Sequence, residues 1–384
     1  MKKFISLLLA LVLLLCACSG AAGRAEPTTE PTAAPTTEAT TEPTTEPTTA
    51  PPPVYLNPLT GEEIDGPYTD RVFAVVINNL FDAVPHYGVN QADLYMEMFV
   101  NYSIIRGLAL YSDIRNVESI GSVRSTRLIF TDILPHFDAI IAHAGGDDQV
   151  LRDAAAVGIE DFNIDTWDQT DYSFRDKQRN RKIGWEHCLF AKGQGIYDLA
   201  QEKGYSVTQP EDKDYGLIFA EDGTPAQGED AHKITIGFAY NVTKKQTVMN
   251  YDFSLGKYVY NQYGLEMTDG ITGEKEAFEN VVMMVADITR EGRGFYEANF
   301  EAGGTGWYAC DGKIIPMTWT CDGPDAPFRF FTEDGEPLHF GVGSTYMAIC
   351  HSDSTIAYEA VEPPVPETTE ELTEPTEVPT EAAA

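Results

Sequence analysis

The stretch 117–158, VESIGSVRSTRLIFTDILPHFDAIIAHAGGDDQVLRDAAAVG, sets the class of fold. Val117 to Val123 is a short strand-like run. From Ser125 to Leu134 the pattern turns helical, with Leu128, Ile129, Ile133 and Leu134 apolar. Asp138 to His143 reads as a second strand, and Ala144-Gly145-Gly146 as a turn. Asp147 or Asp148 then caps a helix to about Val157, and Gly158 ends it. Strands alternating with helices define an α/β layer.

On the N-terminal side, Arg71 to Asn79 is a buried strand followed by a turn, and Asp93 to Val100 and Gly107 to Ser112 are strand-like. On the C-terminal side, Lys177 to Lys182 is polar and loop-like, and Cys188 to Lys203 reads as a helix stopped by Gly204. Beyond 233 the signal is short and β-rich: 234–240, 246–251, 257–260, 281–288, 307–310, 314–320, 328–331 and 345–350. Asp311-Gly312 and Asp334-Gly335 are hairpin turn signals. The expected fold is an α/β N-terminal domain, 54–210, followed by a mostly-β (α+β) C-terminal domain, 211–358. The length suits two domains with a core each.

The ends differ from the middle. Lys2 and Lys3 precede an apolar run, Ile5 to Leu15, too short to serve comfortably as a spanning helix. Leu15-Cys16-Ala17-Cys18 closes it and resembles the lipobox of bacterial lipoproteins. That resemblance makes 1–18 a lipoprotein signal peptide and Cys18 the lipidated first residue of the mature chain, anchored in the cell membrane on its extracytoplasmic face. Residues 26–53 hold only 11 Thr, 8 Pro, 5 Glu and 4 Ala. Such a segment cannot offset the entropy of ordering, so 19–53 is read as a disordered spacer, with a reach of about 90 Å if extended. A similar acidic tail occupies 359–384.

The chain of 384 residues carries 26 Lys+Arg against 60 Asp+Glu, a formal charge of −34. This excludes nucleic acid as a partner bound through bulk charge. It also makes clusters of positive charge informative. Of the six cysteines, Cys188, Cys310, Cys321 and Cys350 lie in the folded part with no Cys-x-x-Cys, which argues against a zinc or redox site. A Cys310–Cys321 bridge and buried free thiols are both compatible with the spacing.

Two segments bear candidate chemistry. Ser122-Val-Arg124-Ser125-Thr-Arg127 joins a strand to a helix start, where free backbone N–H groups and a partial positive charge add to two guanidinium groups and hydroxyls. That is the chemistry of a phosphate or carboxylate site. His143-Ala-Gly145-Gly146-Asp147 is again a strand end, turn and helix start. If the two strands are parallel neighbours, both turns open on the sheet edge where α/β ligands bind. Taken singly, the serines also suit helix caps, the arginines suit pairing with acids, and His143 suits a satisfied core histidine. A third basic run, Arg175 to Lys182, would place alternate side chains on one side if extended.

These segments, in order, resemble the YerB-like bacterial lipoproteins. The matching residues are Asn57-Pro-Leu-Thr-Gly61, Val76-Ile-Asn-Asn79, Gly88 to Asp93 with Glu97, Ile105 to Leu110, Ile120 to Arg127 and Asp138 to Gly146. In the second half they are Gly304 to Lys313 with Thr318-Trp319, and Gly341 to Thr345. The resemblance spans about 57–352 and implies a two-part, membrane-anchored protein whose activity is not established. Members often have Pro-His-Asn where this chain has Trp185-Glu186-His187, so His187 keeps the histidine.

A second likeness is to the LytR–CpsA–Psr phosphotransferases, which move polyprenyl-phosphate-linked glycopolymers. It implies a divalent metal on Asp93, with phosphate held by Arg106, Arg124 and Arg127. The Ser-Ile-Pro-Arg-Asp run of those enzymes is Ser122-Val-Arg-Ser-Thr here, lacking the Pro and the final Asp.

The leading expectation is a non-enzymatic envelope module with no cofactor. It binds an anionic ligand through Arg106, Ser122, Arg124, Ser125, Arg127, His143, Gly145, Gly146, Asp147, Lys182 and His187. The alternatives are a metal-dependent phosphotransferase or hydrolase using the same edge plus Asp93, and a structural or protein-interaction lipoprotein.

Overall fold

The strand-forming runs on both sides of residue 211 assemble into a single sheet of eleven strands in the computed structural model, which describes residues 53–238 and 245–363. The signal segment with Cys18, nearly all of the spacer and most of the tail lie outside the described residues, as do 239–240 of one expected strand. The first half supplies β1 (Phe73–Asn78), β2 (Leu94–Asn101), β3 (Ile104–Tyr111), β5 (Ile140–His143) and β6 (Asp161–Asn163). A two-residue strand, β4 (Ile120–Gly121), stands apart with β7 (Ser173–Arg175) and β8 (Leu189–Ala191) in a small antiparallel sheet. The second half adds β9 (Glu229–Asp230), β13 (Asn280–Val285), β14 (Gly304–Cys310), β15 (Lys313–Cys321), β16 (Phe328–Thr332) and β17 (Thr345–Cys350). The order is β9-β15-β14-β13-β17-β2-β3-β1-β5-β6, with β16 beside β15.

The α/β first half and β-rich second half thus follow the expected pattern, but the separate cores do not. Strand β2 pairs in parallel with β17, Leu94 opposite Thr345 through Met98 opposite Ile349. Each face of the sheet therefore carries one hydrophobic layer drawn from both halves. Composition along the chain cannot reveal such pairing, because the partners are about 250 residues apart.

One face is covered by α1 (Leu128–Phe137), whose Ile129, Phe130, Ile133, Leu134 and Phe137 belong to the same layer as Ala74, Val76, Leu108 and Leu110. The other face meets a second antiparallel sheet. Its main strands are β10 (Lys233–Gly237), β11 (Gln246–Asp252), β12 (Lys257–Gln262) and β18 (Thr355–Glu359).

Between these sheets lies Glu97, fully buried on β2. Its Oε1 accepts from Lys245 Nζ, Asn79 Nδ2 and, at 2.7 Å, the Tyr260 hydroxyl. Its Oε2 accepts from Thr247 Oγ1 and the Tyr346 hydroxyl, each at 2.5 Å. Burial alone would raise this carboxyl's pKa, but the Lys245 charge and the converging donors outweigh it and hold it below the usual carboxylate range.

Several local expectations are corrected. The run 117–123 forms only β4, because Val123 instead bridges Ile77. Residues 177–182 are not an extended loop: Asp176 caps the N–H groups of Gln178 and Arg179 and starts helix α3 (Lys177–Ile183). Cys188 to Lys203 is not one helix, because Leu189–Ala191 are drawn into β8 before helix α4 (Gly193–Glu202) begins. Asp147 caps α2 (Asp148–Ala156), and Asp311-Gly312 makes the β14–β15 hairpin, as expected. Cys310 and Cys321 lie at opposite ends of that hairpin, and all four described cysteines are buried free thiols. No helix among the described residues is long and apolar enough to cross a membrane.

Two outcomes follow for stability. Glu97→Ala should lower the urea-unfolding free energy by about 3–5 kcal/mol, since the remaining partners of a buried charge network are left unsatisfied. Asp132 on α1 accepts the Ala298 N–H, and burial pushes its pKa up to about 7. The folded chain therefore holds this proton more tightly than the unfolded chain. Stability should fall as pH rises from about 4 to 7, and Asp132→Asn should remove that part of the slope in a pH series of thermal melts.

Candidate anion site

Strands β1 and β5 are parallel, so their C-terminal ends open on one edge of the sheet. Asn78 ends β1 there, and its register partner on antiparallel β3 is Arg106. Strand β4 is not a parallel neighbour of β5 but pairs antiparallel with β8 in the small sheet. The two turns meet nonetheless, through Ala144 N–H to Arg124 O at 2.9 Å and Thr126 N–H to Gly145 O at 2.9 Å. Arg127 is the N-cap residue of α1, whose first N–H groups receive no side-chain cap and whose first turn has no acid. The positive end of the helix dipole is thus unneutralised.

Three guanidinium groups gather at this helix end. Arg106 is 2% exposed and donates to Ser125 O. Arg124 pairs with Glu186 Oε2 at 3.0 Å and donates to Glu186 O at 3.2 Å. Arg127 donates to Thr126 O at 2.6 Å and lies over the Phe295 ring. Among the described residues, neither Arg106 nor Arg127 forms an ion pair, and Arg127 Nε and Ser122 Oγ are buried without a hydrogen-bond partner. Burial, then repulsion from Arg127 and Arg124, pushes the Arg106 pKa well down. Burial and Arg124 bring Arg127 to about 10. Among the described residues the one carboxylate paired into the cluster, Glu186, has a side chain 65% exposed.

His187 adjoins the cluster. Asn78 Nδ2 lies 2.9 Å from its Nδ1 and also donates to Glu186 O at 3.2 Å. An amide nitrogen can only donate, so Nδ1 accepts and Nε2 carries the proton. Partial burial and then the Arg124 charge lower the His187 pKa.

Other expected site residues have different work. His143 is buried with both ring nitrogens engaged, Nδ1 with Gly145 O at 2.8 Å and Nε2 with Asp161 Oδ2 at 3.2 Å, so it supports the turn. Asp147 caps α2 and pairs with Arg293 at 2.9 Å. Gly145, at φ +72°, has a left-handed backbone that favours glycine. Gly146 packs close to Thr126 and Leu151. Lys182 is exposed on α3. Of its basic neighbours, Arg175 pairs with Asp165, and Arg179 donates to the carbonyls of Ala83, Pro85 and His187. The run is thus not a single basic stripe.

Asp93 lies at the other end of β2. The register sets Leu94 opposite Leu110 and Met98 opposite Arg106, so Asp93 and Arg106 are about 16 Å apart along the strands. Its carboxylate accepts the Ser112 N–H at 2.5 Å. Burial raises its pKa, against the Ser112 hydrogen bonds. No group of three or more His, Cys, Asp or Glu among the described residues is arranged to hold a metal ion. A metal on Asp93 acting on phosphate at the arginine edge does not fit this geometry. Asn78 and Glu186 were missed in the sequence. The Asn-Asn pair closing an apolar strand was the available signal for Asn78, and Glu186 had none.

The architecture is that of an α/β sheet extended by an antiparallel β region, with a cationic cluster at a carboxyl edge. The chain belongs to the family described as "Protein of unknown function (DUF3048)": its N-terminal domain matches residues 59–206 and its C-terminal domain residues 235–347. A curated relative, "Putative lipoprotein YerB" of Bacillus subtilis (strain 168), is 28% identical over 303 residues, covering 76% of this chain and 85% of the relative. The crystal structure of YerB protein from Bacillus subtilis shares the fold, with a TM-score of 0.68, 24% identity, and coverage of 79% of this chain and 99% of that one. The comparisons lend no support to the LytR–CpsA–Psr likeness.

Glu186 occupies Arg124 as an external anion would. Glu186→Ala should therefore tighten the binding of inorganic phosphate severalfold in a calorimetric titration. Unchanged or weaker binding would remove Glu186 as a competitor.

Proposed function

We propose that this protein is a membrane-anchored, extracytoplasmic lipoprotein whose arginine edge binds an anionic envelope ligand without turning it over. The lipobox-like Leu15-Cys16-Ala17-Cys18 and the likeness to a relative named as a lipoprotein support the anchor, with the lipid on Cys18. The observation that carries the binding function is Arg106. It is a buried guanidinium without a carboxylate partner, set beside Arg124 and Arg127 at an uncapped helix start. Burying such a charge is costly unless something compensates it. A phosphate or carboxylate at this edge would take charge-assisted hydrogen bonds and complement the helix dipole. The net charge of −34 argues against a nucleic-acid ligand.

The test is titration of the processed chain with inorganic phosphate and pyrophosphate. Binding should survive chelation of divalent metal and weaken with salt. Arg124→Ala and Arg127→Ala, both at partly exposed positions, should each reduce affinity by about tenfold, the effect of one lost hydrogen bond to a charged group. His143→Gln should matter less to affinity than either. Binding that ignores both arginines would overturn the assignment. Cys18→Ser should release the protein from the membrane fraction.

A further inference from the structure

Beside the arginine edge stands an aromatic stack that the anion site does not use. Trp185 immediately precedes Glu186 and His187 in a one-turn helix. The Arg175 guanidinium lies 3.3 Å from the centre of the Trp185 ring, and the Trp167 ring centre lies 3.5 Å from it with the two ring planes tilted by 32°. Two groups that close cannot share one face, so Trp185 is held between them and Trp167 forms the outer layer.

The stack is anchored on both sides. Arg175 donates to Trp185 O at 2.7 Å, to Thr166 O at 3.0 Å, and to Asp165. Those bonds hold the Trp185 backbone and the two residues before Trp167. Trp167 is nevertheless 79% exposed, the most exposed large hydrophobic residue described. An indole resting against a second indole yet open to water offers a ring-sized apolar face to a ligand.

We infer that Trp167 and the arginine edge together form an extended site for a saccharide bearing phosphate or carboxylate, with a sugar ring on the indole and the anion at Arg124 and Arg127. The inference rests on the anion reading above and names its ligand class. Charge and surroundings favour this occupant. The platform is a single ring face on a polar stretch of chain, with Asp165 two residues before Trp167, Asp168 directly after it and Glu186 directly after Trp185, rather than a broad apolar patch. A pyranose matches that surface, with C–H groups for the ring and hydroxyls for the polar neighbours, whereas a lipid tail or an apolar protein face would leave those charges unsatisfied. The link between the two parts is short: Glu186 O, one residue from Trp185, accepts from both Arg124 and Asn78.

The experiment titrates the processed chain with four probes while following tryptophan fluorescence and heat. The probes are inorganic phosphate, tetragalacturonate, neutral maltotetraose and adenosine monophosphate. Tetragalacturonate should bind at least tenfold more tightly than phosphate or maltotetraose and should perturb the fluorescence. Trp167→Ala, a change at an exposed position, should abolish that gain and leave phosphate affinity unaltered. Arg124→Ala should weaken both anions. If phosphate binds but tetragalacturonate gains nothing, or the gain survives Trp167→Ala, the saccharide inference is overturned while the anion site stands. Tighter Trp167-dependent binding of adenosine monophosphate than of tetragalacturonate would also overturn it in favour of a base-stacking site. If no anion binds, the underlying reading fails first.

Discussion

The parallel pairing of β2 with β17, and the carboxylate of Glu97 at its centre, is the constraint on which the rest of the molecule depends. A parallel ladder between strands so distant in sequence closes a very long loop, and something must compensate the entropy of that closure. Glu97 draws donors from both halves of the chain: Asn79 from the first, and Lys245, Thr247, Tyr260 and Tyr346 from the second. Such a network is satisfied only when both sheets are in register. It therefore specifies one arrangement where apolar packing alone would tolerate several.

That arrangement places the arginine edge. Asn79, the residue just past β1, reaches inward to Glu97, while Asn78, the last residue of β1, points the other way and reaches His187 and the Glu186 carbonyl. Two consecutive residues at the end of a strand thus tie the buried network to the surface cluster. The cluster is unusual in its setting. In a chain with more than twice as many acids as bases, acids were available to pair every arginine, as they do Arg71, Arg115, Arg175 and Arg329. Arg152, Arg179, Arg181 and Arg290 also lack an ion pair among the described residues, but each is exposed or partly so, whereas Arg106 is buried, and electrostatic repulsion between it, Arg124 and Arg127 favours an incoming anion.

Much of the local structure was legible because local chemistry decides it. Asp147 caps a helix, Gly158 ends it, and Asp311-Gly312 turns a hairpin, each through interactions within a few residues. The errors fell where a distant partner overrode local preference. Leu189–Ala191 has helical neighbours but becomes a strand because Ser173–Arg175 and Ile120–Gly121 offer it ladders on both sides. His143 was grouped with the arginines by its place at a strand end, yet Asp161 and Gly145 occupy both ring nitrogens. Asp93 was grouped with them by resemblance, and the direction of β2 carries it to the far end.

The sequence by itself determined the order of α/β and β-rich regions, the helix caps and turns, and the gathering of Arg124 and Arg127 at a helix start. These follow from side-chain periodicity and from hydrogen bonds between near neighbours, which the linear order of residues specifies directly. Only the tertiary structure decided that the two halves share one sheet, that Asp93 and His143 stand apart from the arginine edge, and that Trp167 rests open against Trp185 beside it. Those outcomes depend on strand pairing and strand direction across long separations, where many registers are chemically acceptable locally and burial of the whole selects one.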